Sequence, residues 1–393
     1  MSIVAADIKF KAATYNNDLA GNGGRMTAND VGTTLFPDIT AQERTSGVTR
    51  YRKEFMKNEE NSSGLKDLTL MSPRVWLSAL SPAEDYFRLK AGSDTDTQST
   101  AEGYSDWAGV GYLDANKSAG ALSIAVNCEA ANGFYNGLAY ITDGTNAEFF
   151  TISGVSWATL KATLTVSGSI GLAHAYDRYS YSATADIYTA NTIGKTGAGW
   201  TYNTYANKYL RIVSGTGIGQ MRRIISNTTT TATVDYNFTT TPDGTSVFEI
   251  LKTYVSMVVE LSDIVASWSG WSEVSTSGTY NETNYPPLLY PIGSITETWT
   301  LTMTSSTNFD VYGAVVGFVG SGIKTSNFTP ANGSSYYFQL RLSGWGGTWA
   351  MGETITFTTT HSAKALWIKE VVGAGINPYS NNRCQLAAQG DSA

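Results

Sequence analysis

Strict alternation of apolar and polar positions is the clearest pattern along the chain. Thr298-Trp299-Thr300-Leu301-Thr302-Met303-Thr304 puts every large apolar side chain on one face and every threonine on the other, the period of a half-buried strand. Tyr336-Tyr337-Phe338-Gln339-Leu340-Arg341-Leu342 repeats it, with Phe338, Leu340 and Leu342 sharing a face and Gln339 and Arg341 opposed. In Arg74-Val75-Trp76-Leu77 the two sides are Val75 with Leu77 and Trp76, so both faces of that strand are expected to be covered. Asp143-Gly144, Asp243-Gly244, Asn332-Gly333 and the glycines from Gly344 to Gly347 are turn signals at hairpin intervals. The segment from Tyr254 to Trp268 is apolar enough for a short helix, but its Val and Ser content suits a strand equally, and periodicity leaves both open.

One order of elements occurs twice. Leu138–Thr142, Phe149–Ile152 and Leu164–Val166 read as strand, Gly turn, strand, connection, strand, and so do Leu210–Gly215, Arg222–Ile225 and Thr233–Val234. Either this is a tandem repeat between about 116 and 255, or it reflects the general likeness of hairpin sequences.

Composition agrees with strands. The chain has 39 Gly, 23 Tyr and 10 Trp, and β-branched and aromatic side chains fill pleated faces while glycine serves tight turns. Its 393 residues exceed one ordinary core, so two or three domains are expected. Only 15% of residues are charged, against about 25% in ordinary soluble domains, so much of the surface must be Ser, Thr, Asn, Gly and Tyr. A net charge of -7 without a Lys/Arg stripe argues against a nucleic-acid partner, because neutralising phosphates needs concentrated basic residues. No run approaches a membrane span, and MSIVAADIKF lacks the features of a secretory leader, so synthesis in the cytoplasm is expected.

The chemistry-bearing residues are sparse. Cys128 and Cys384 form no zinc-finger spacing and are either two thiols or one bridge. His174 and His361 are the only histidines, unaccompanied by a nucleophile motif. Gly215-Thr216-Gly217-Ile218-Gly219 looks like a phosphate loop, but a dinucleotide site needs a helix next, and Met221 to Ile225 read as a strand. Glu59-Glu60 and Glu84-Asp85 would point to opposite strand faces, unlike the facing acids of a glycosidase. No catalytic residue, cofactor or metal site is therefore expected. The candidate interaction residues are aromatic: Trp268, Trp271, Tyr280, Tyr285 and Tyr290 in a Ser/Gly/Asn stretch, and Trp345 and Trp349 in a glycine turn. Exposed, they would offer rigid contact area to proteins or to a host-surface glycan; buried, they would fill cores or subunit seams.

Three segments resemble parts of tailed-bacteriophage virion proteins. Tyr51–Asn58, with Leu68–Leu70 and Arg74–Leu77, is similar to a pair of strands near the start of such proteins. Gly215–Ile224, closed by Pro242–Ile250, resembles a β-module of phage structural proteins. Ala365–Gly375 is similar to a C-terminal strand of the first group, which often carries Pro where Gly373 stands. Shorter proteins of that group join the first and third segments almost directly, which implies that the two ends of this chain share one unit. The expected fold is all-β: a multi-domain β-sandwich, Ig-like or jelly-roll-like, with inserted β-hairpin modules. Its parts would be 1–115, completed by 350–393; inserted modules over 116–255; and a second sandwich over 256–349. The resemblance implies a non-enzymatic, homo-oligomeric component of the tail, baseplate or neck, with itself and other virion proteins as partners. The rival roles are host attachment, capsid decoration and, least favoured, polysaccharide cleavage.

Overall fold

Strand Val48–Asn58 lies at the middle of a five-stranded antiparallel sheet, in the order Gly23–Asp30, Ile8–Tyr15, Val48–Asn58, Ala363–Val372, Asp85–Ala91. The computed structural model describes residues 3–32, 35–60, 68–78, 81, 85–114, 117–142, 146–168, 170, 179–206, 208–251, 254–376 and 385–392. Strands make up 54% of the chain and helices 5%, so the protein is nearly all β, in several sheets and a small barrel.

The central strand has both faces covered, and its charged residues are buried with it. Lys53 is fully buried; its Nζ lies 2.5 Å from Asp96 and donates to the carbonyls of Gly24 and Asp96. On the other face Arg50 Nε donates to Glu370 at 2.7 Å, and Arg52 donates to the Asn17 carbonyl and to Asp18. Burying a charge is costly unless it is paired and hydrogen-bonded. Each of these is. Glu54 is the exception: it is buried, and its Oε1 has no hydrogen-bond partner.

A second sheet closes on itself. Val110–Leu113, Ser123–Cys128, Lys161–Val166, Ala147–Ala158, Gly137–Thr142 and Tyr254–Glu260 pair in that order, and the last pairs back to the first. This six-stranded antiparallel barrel is filled by every second side chain, including Ile124, Val126, Leu164, Ile141, Val255 and Met257. Tyr254–Glu260 is a strand, which decides the alternative left open by its periodicity. It also pairs with Leu70–Leu77, which in turn holds the C-terminal strand Leu386–Ser392. Val75, Trp76 and Leu77 are all buried, so both faces of that strand are covered.

The remaining strands form two further units. A seven-stranded sheet built from residues 179–251 has its own core around Ile212, Ile224 and Phe248, and meets the barrel where Arg211 lies 4.9 Å from the Tyr112 ring and donates to the Cys128 carbonyl. Gly215–Gly219 is the turn between strands Tyr209–Ser214 and Met221–Asn227, and all three glycines have positive φ. Both halves of the sequence-level repeat are three-stranded meanders, one in the barrel and one in this sheet. The second unit is a five-stranded sheet ordered Ser267–Val274, Thr354–Thr360, Glu297–Met303, Asn308–Gly313, Gly317–Ile323, with short two-stranded ribbons packed on its inner face. Trp299, Leu301 and Met303 point into this core, as their alternation requires. In the other alternating run Phe338 and Leu340 are buried, but Leu342 turns outward into a 3-10 turn. Arg25 and Lys57 tie the unit to the first sheet through the carbonyls of Thr296 and Ile292.

Two outcomes test this account. A chain ended at Ser362 removes the strand beside Val48–Asn58, so limited proteolysis should then find no folded N-terminal fragment; a stable fragment would contradict the shared sheet. Burial pushes the Glu54 carboxyl up to about 8. A carboxyl whose pKa is raised on folding stabilises fully below its ordinary value, and that stability is lost as pH rises towards 8. Glu54→Gln should therefore be near neutral at pH 5 and stabilise by about 3 kcal/mol at pH 8, read from denaturant unfolding at each pH.

Candidate interaction surface

The aromatic residues singled out in the sequence gather in the unit formed by residues 267–360. Their rings make a continuous chain: Trp268 to Trp271 at 6.1 Å, Trp271 to Tyr280 at 5.1 Å, Tyr280 to Trp345 at 5.2 Å and Trp345 to Trp349 at 5.5 Å. Trp271 also stacks on Phe357 at 5.3 Å. Tyr280 and Trp349 are buried, and Trp268, Trp271, Tyr285 and Trp345 are half-buried against the same core. Tyr290 stands apart, paired edge-on with Tyr336 at 5.2 Å.

The glycines between these aromatics make the packing possible. A Cβ on Gly278 would sit 2.3 Å from the Trp349 ring, and one on Gly344 would sit 2.3 Å from the Tyr280 ring. The polar atoms are tied inward as well. Trp271 Nε1 and the Tyr280 amide both donate to Glu273 at 2.9 Å, and the Tyr280 hydroxyl donates to the Arg341 carbonyl. Burial pushes the Tyr280 phenol up. This constellation is a folding core with a half-exposed rim.

A cluster of exposed apolar residues of the unit lies elsewhere, at its free sheet edge, and the sequence reading missed it. Among the described residues Gly317–Ile323 pairs only with Asn308–Gly313; it has no charged side chain and is 55% exposed at Phe318. Val315, Val316, Tyr312 and Ile323 are exposed beside it, and Phe318 packs against Tyr312 at 5.2 Å. The turn carrying Val315 and Val316 is held rigid from below, because both amides donate at 3.1 Å to Glu297, a carboxylate only 3% exposed. A groove of about 640 Å³ runs along the same strand, lined by Asp310, Ser321, Ile323, Asn327, Phe328 and Thr329. Exposed apolar edges with unpaired backbone groups are pairing surfaces unless charge, proline or twist blunts them. Here the blunting features are one irregularity in register, between Val311 and Tyr312, and Asp310, which accepts from Ser321 of the edge strand.

Compared with known proteins, the chain matches no protein-family model and no curated protein.

The acids and the histidine are structural in their contacts. Glu59 pairs with Lys11 and Lys57, and Glu60 is buried; Glu84 lies outside the described residues. Asp85 and Glu370 do come together, but both are buried. Burial pushes the Glu370 carboxyl up to about 7, against the pull of Arg50. Two acids sealed from solvent are not placed to work across a sugar bond. His361 Nε2 meets Asp94 at 2.5 Å; burial acts to raise the Asp94 pKa, but the His361 contact outweighs it and holds the carboxyl below its usual range. Cys128 is a free thiol that burial pushes up to about 12, which suppresses the reactive thiolate. His174 and Cys384 lie outside the described residues. Among the described residues no three His, Cys, Asp or Glu side chains are grouped to hold a metal, and no helix is long and apolar enough to cross a membrane.

Gly278→Ala should lower stability by about 2 kcal/mol by driving a methyl into Trp349, with the loss read from thermal unfolding followed by tryptophan fluorescence.

Proposed function

We propose that this chain is a non-enzymatic structural component of a tailed-bacteriophage virion, placed in the tail, baseplate or neck, and that it works through contacts with copies of itself and with other virion proteins. The observation that carries the self-association is the rigid, uncharged edge Gly317–Ile323 with its apolar rim. A second copy's strand laid on that edge would satisfy the free backbone groups and cover Val315 and Phe318 together, without moving the turn that Glu297 already holds. Repeated around a symmetry axis, such contacts build closed rings.

The resemblance to virion proteins implies that the two ends of the chain share one unit. Tyr51–Asn58 and Ala365–Val372 are far apart in sequence but are hydrogen-bonded neighbours in one sheet. Gly215–Ile224 and Pro242–Ile250 likewise contribute to one seven-stranded sheet. In this reading the two five-stranded sheets with their covering layers are Ig-like or jelly-roll-like sandwiches, and the protein is made in the host cytoplasm before joining the particle.

Sedimentation equilibrium of the full chain at about 100 µM tests the self-association, since any contact tighter than that populates an oligomer. The parent should form one oligomer of defined order, and the double variant Val315→Glu, Phe318→Glu should sediment as a monomer with an unchanged melting temperature. A monomeric parent, or a variant that still assembles, would overturn the edge as the interface.

A further inference from the structure

A cleft of about 510 Å³ lies on the first sheet, away from the free edge, where Tyr86, Arg88 and Lys369 meet the loops carrying Tyr104–Trp107 and Ala131–Phe134. Its volume is that of an ordinary small-ligand site. Two cations stand side by side in it. Lys369 is directly opposite Arg88 in the strand register, and like charges facing across a sheet destabilise it unless something compensates.

Among the described residues the carboxyl acting on Arg88 is Glu129, and none acts on Lys369. Lys369 has no hydrogen-bond or carboxylate partner among the described residues, and its ammonium lies over the Trp107 ring at 4.3 Å. Burial, and then Arg88, push Lys369 down to about 8, as expected of an ammonium without its counter-ion. Arg88 donates to the carbonyls of Phe87 and Ala130, which are neutral, and stacks 4.7 Å from the Tyr86 ring. Burial pushes the Glu129 carboxyl up to about 8, against the pull of Arg211 and Arg88. Room for the guanidinium comes from Gly109 and Gly133, where a Cβ would sit 2.7 Å and 2.9 Å from it.

The mouth has the opposite character. Ser105, Asp106 and Asn132 are exposed there, and Ser105 Oγ donates to Asp106. Asp106 and Asn132 are two of the five non-glycine residues with positive φ in the described chain, a conformation that tends to gather at binding sites. A carboxylate at the mouth repels a bare anion but accepts hydrogen bonds from hydroxyl groups. The matching ligand carries its negative charge at one end and hydroxyls at the other.

We propose that this cleft binds an acidic saccharide, with the sugar carboxylate between Lys369 and Arg88 and the ring hydroxyls against Ser105, Asp106 and Asn132. The site is independent of the assembly edge and gives the chain a binding activity in addition to a structural one.

Titration of the full chain with D-glucuronate, D-glucose and inorganic sulfate, followed by ligand-observed NMR, tests it. Glucuronate should bind saturably and more tightly than either glucose or sulfate. Lys369→Met should weaken glucuronate about ten-fold, the loss of one charge-assisted hydrogen bond. Asn132→Gly, which suits the left-handed backbone and removes only the amide, should weaken it several-fold at an unchanged melting temperature. No saturable glucuronate binding, equal binding of glucose or of sulfate, or an unchanged affinity in both variants would overturn the proposal.

Discussion

Ten consecutive cross-strand pairs, from Val48 opposite Val372 to Lys57 opposite Ala363, join the two ends of the chain, and the rest of the molecule is arranged around them. The Arg50–Glu370 ion pair spans 320 residues of sequence within this ladder. Closing so long a loop costs only slightly more entropy than closing a shorter one, because the cost grows with the logarithm of length. What the ladder needs is a unique register. Its two faces carry different charges with different partners: Lys53 reaches Asp96 on one face, and Arg50 reaches Glu370 on the other. A slip by one residue would exchange the faces and leave both ions buried without their partners.

The same ladder positions the two surfaces to which function is assigned. Lys369 belongs to its second strand and faces Arg88 on the next, so the cationic cleft is a by-product of the register that buries Lys53 and Glu370. Beyond Ala363 the chain runs back through His361 to Thr354–Thr360, the strand inside the aromatic unit. The contacts of Lys57 with the Ile292 carbonyl and of His361 with Asp94 anchor that unit beside the first sheet. Its free edge is the strand Gly317–Ile323, three strands removed from Thr354–Thr360.

Buried ionisable groups divide into two kinds. Lys53, Arg50 and Arg52 are surrounded by carbonyls and carboxylates, and they specify the register. Lys369 lacks such a shell, Arg88 has only the carbonyls of Phe87 and Ala130 as acceptors among the described residues, and Glu54 has an oxygen without a partner. For Glu54 the neutral form removes the cost, and its raised pKa follows from burial alone. A guanidinium cannot shed its charge at accessible pH, so Arg88 keeps the cleft cationic.

The sequence by itself determined the local structure. The alternation at Thr298–Thr304 makes a strand with Trp299, Leu301 and Met303 inward, and the glycines at 215, 217 and 219 make a hairpin turn, because side-chain periodicity and positive φ act over a few residues. It also exposed the aromatic stretches, but not their burial, since Trp271 and Trp349 fill a core only when Gly278 and Phe357 are brought against them. Which strand lies beside which was decided by the tertiary structure. Backbone hydrogen bonds are alike for every strand pair, so Tyr254 closes a barrel on residues 110–142, and Lys369 meets residues 86–107 and 131–134, only through packing between distant segments.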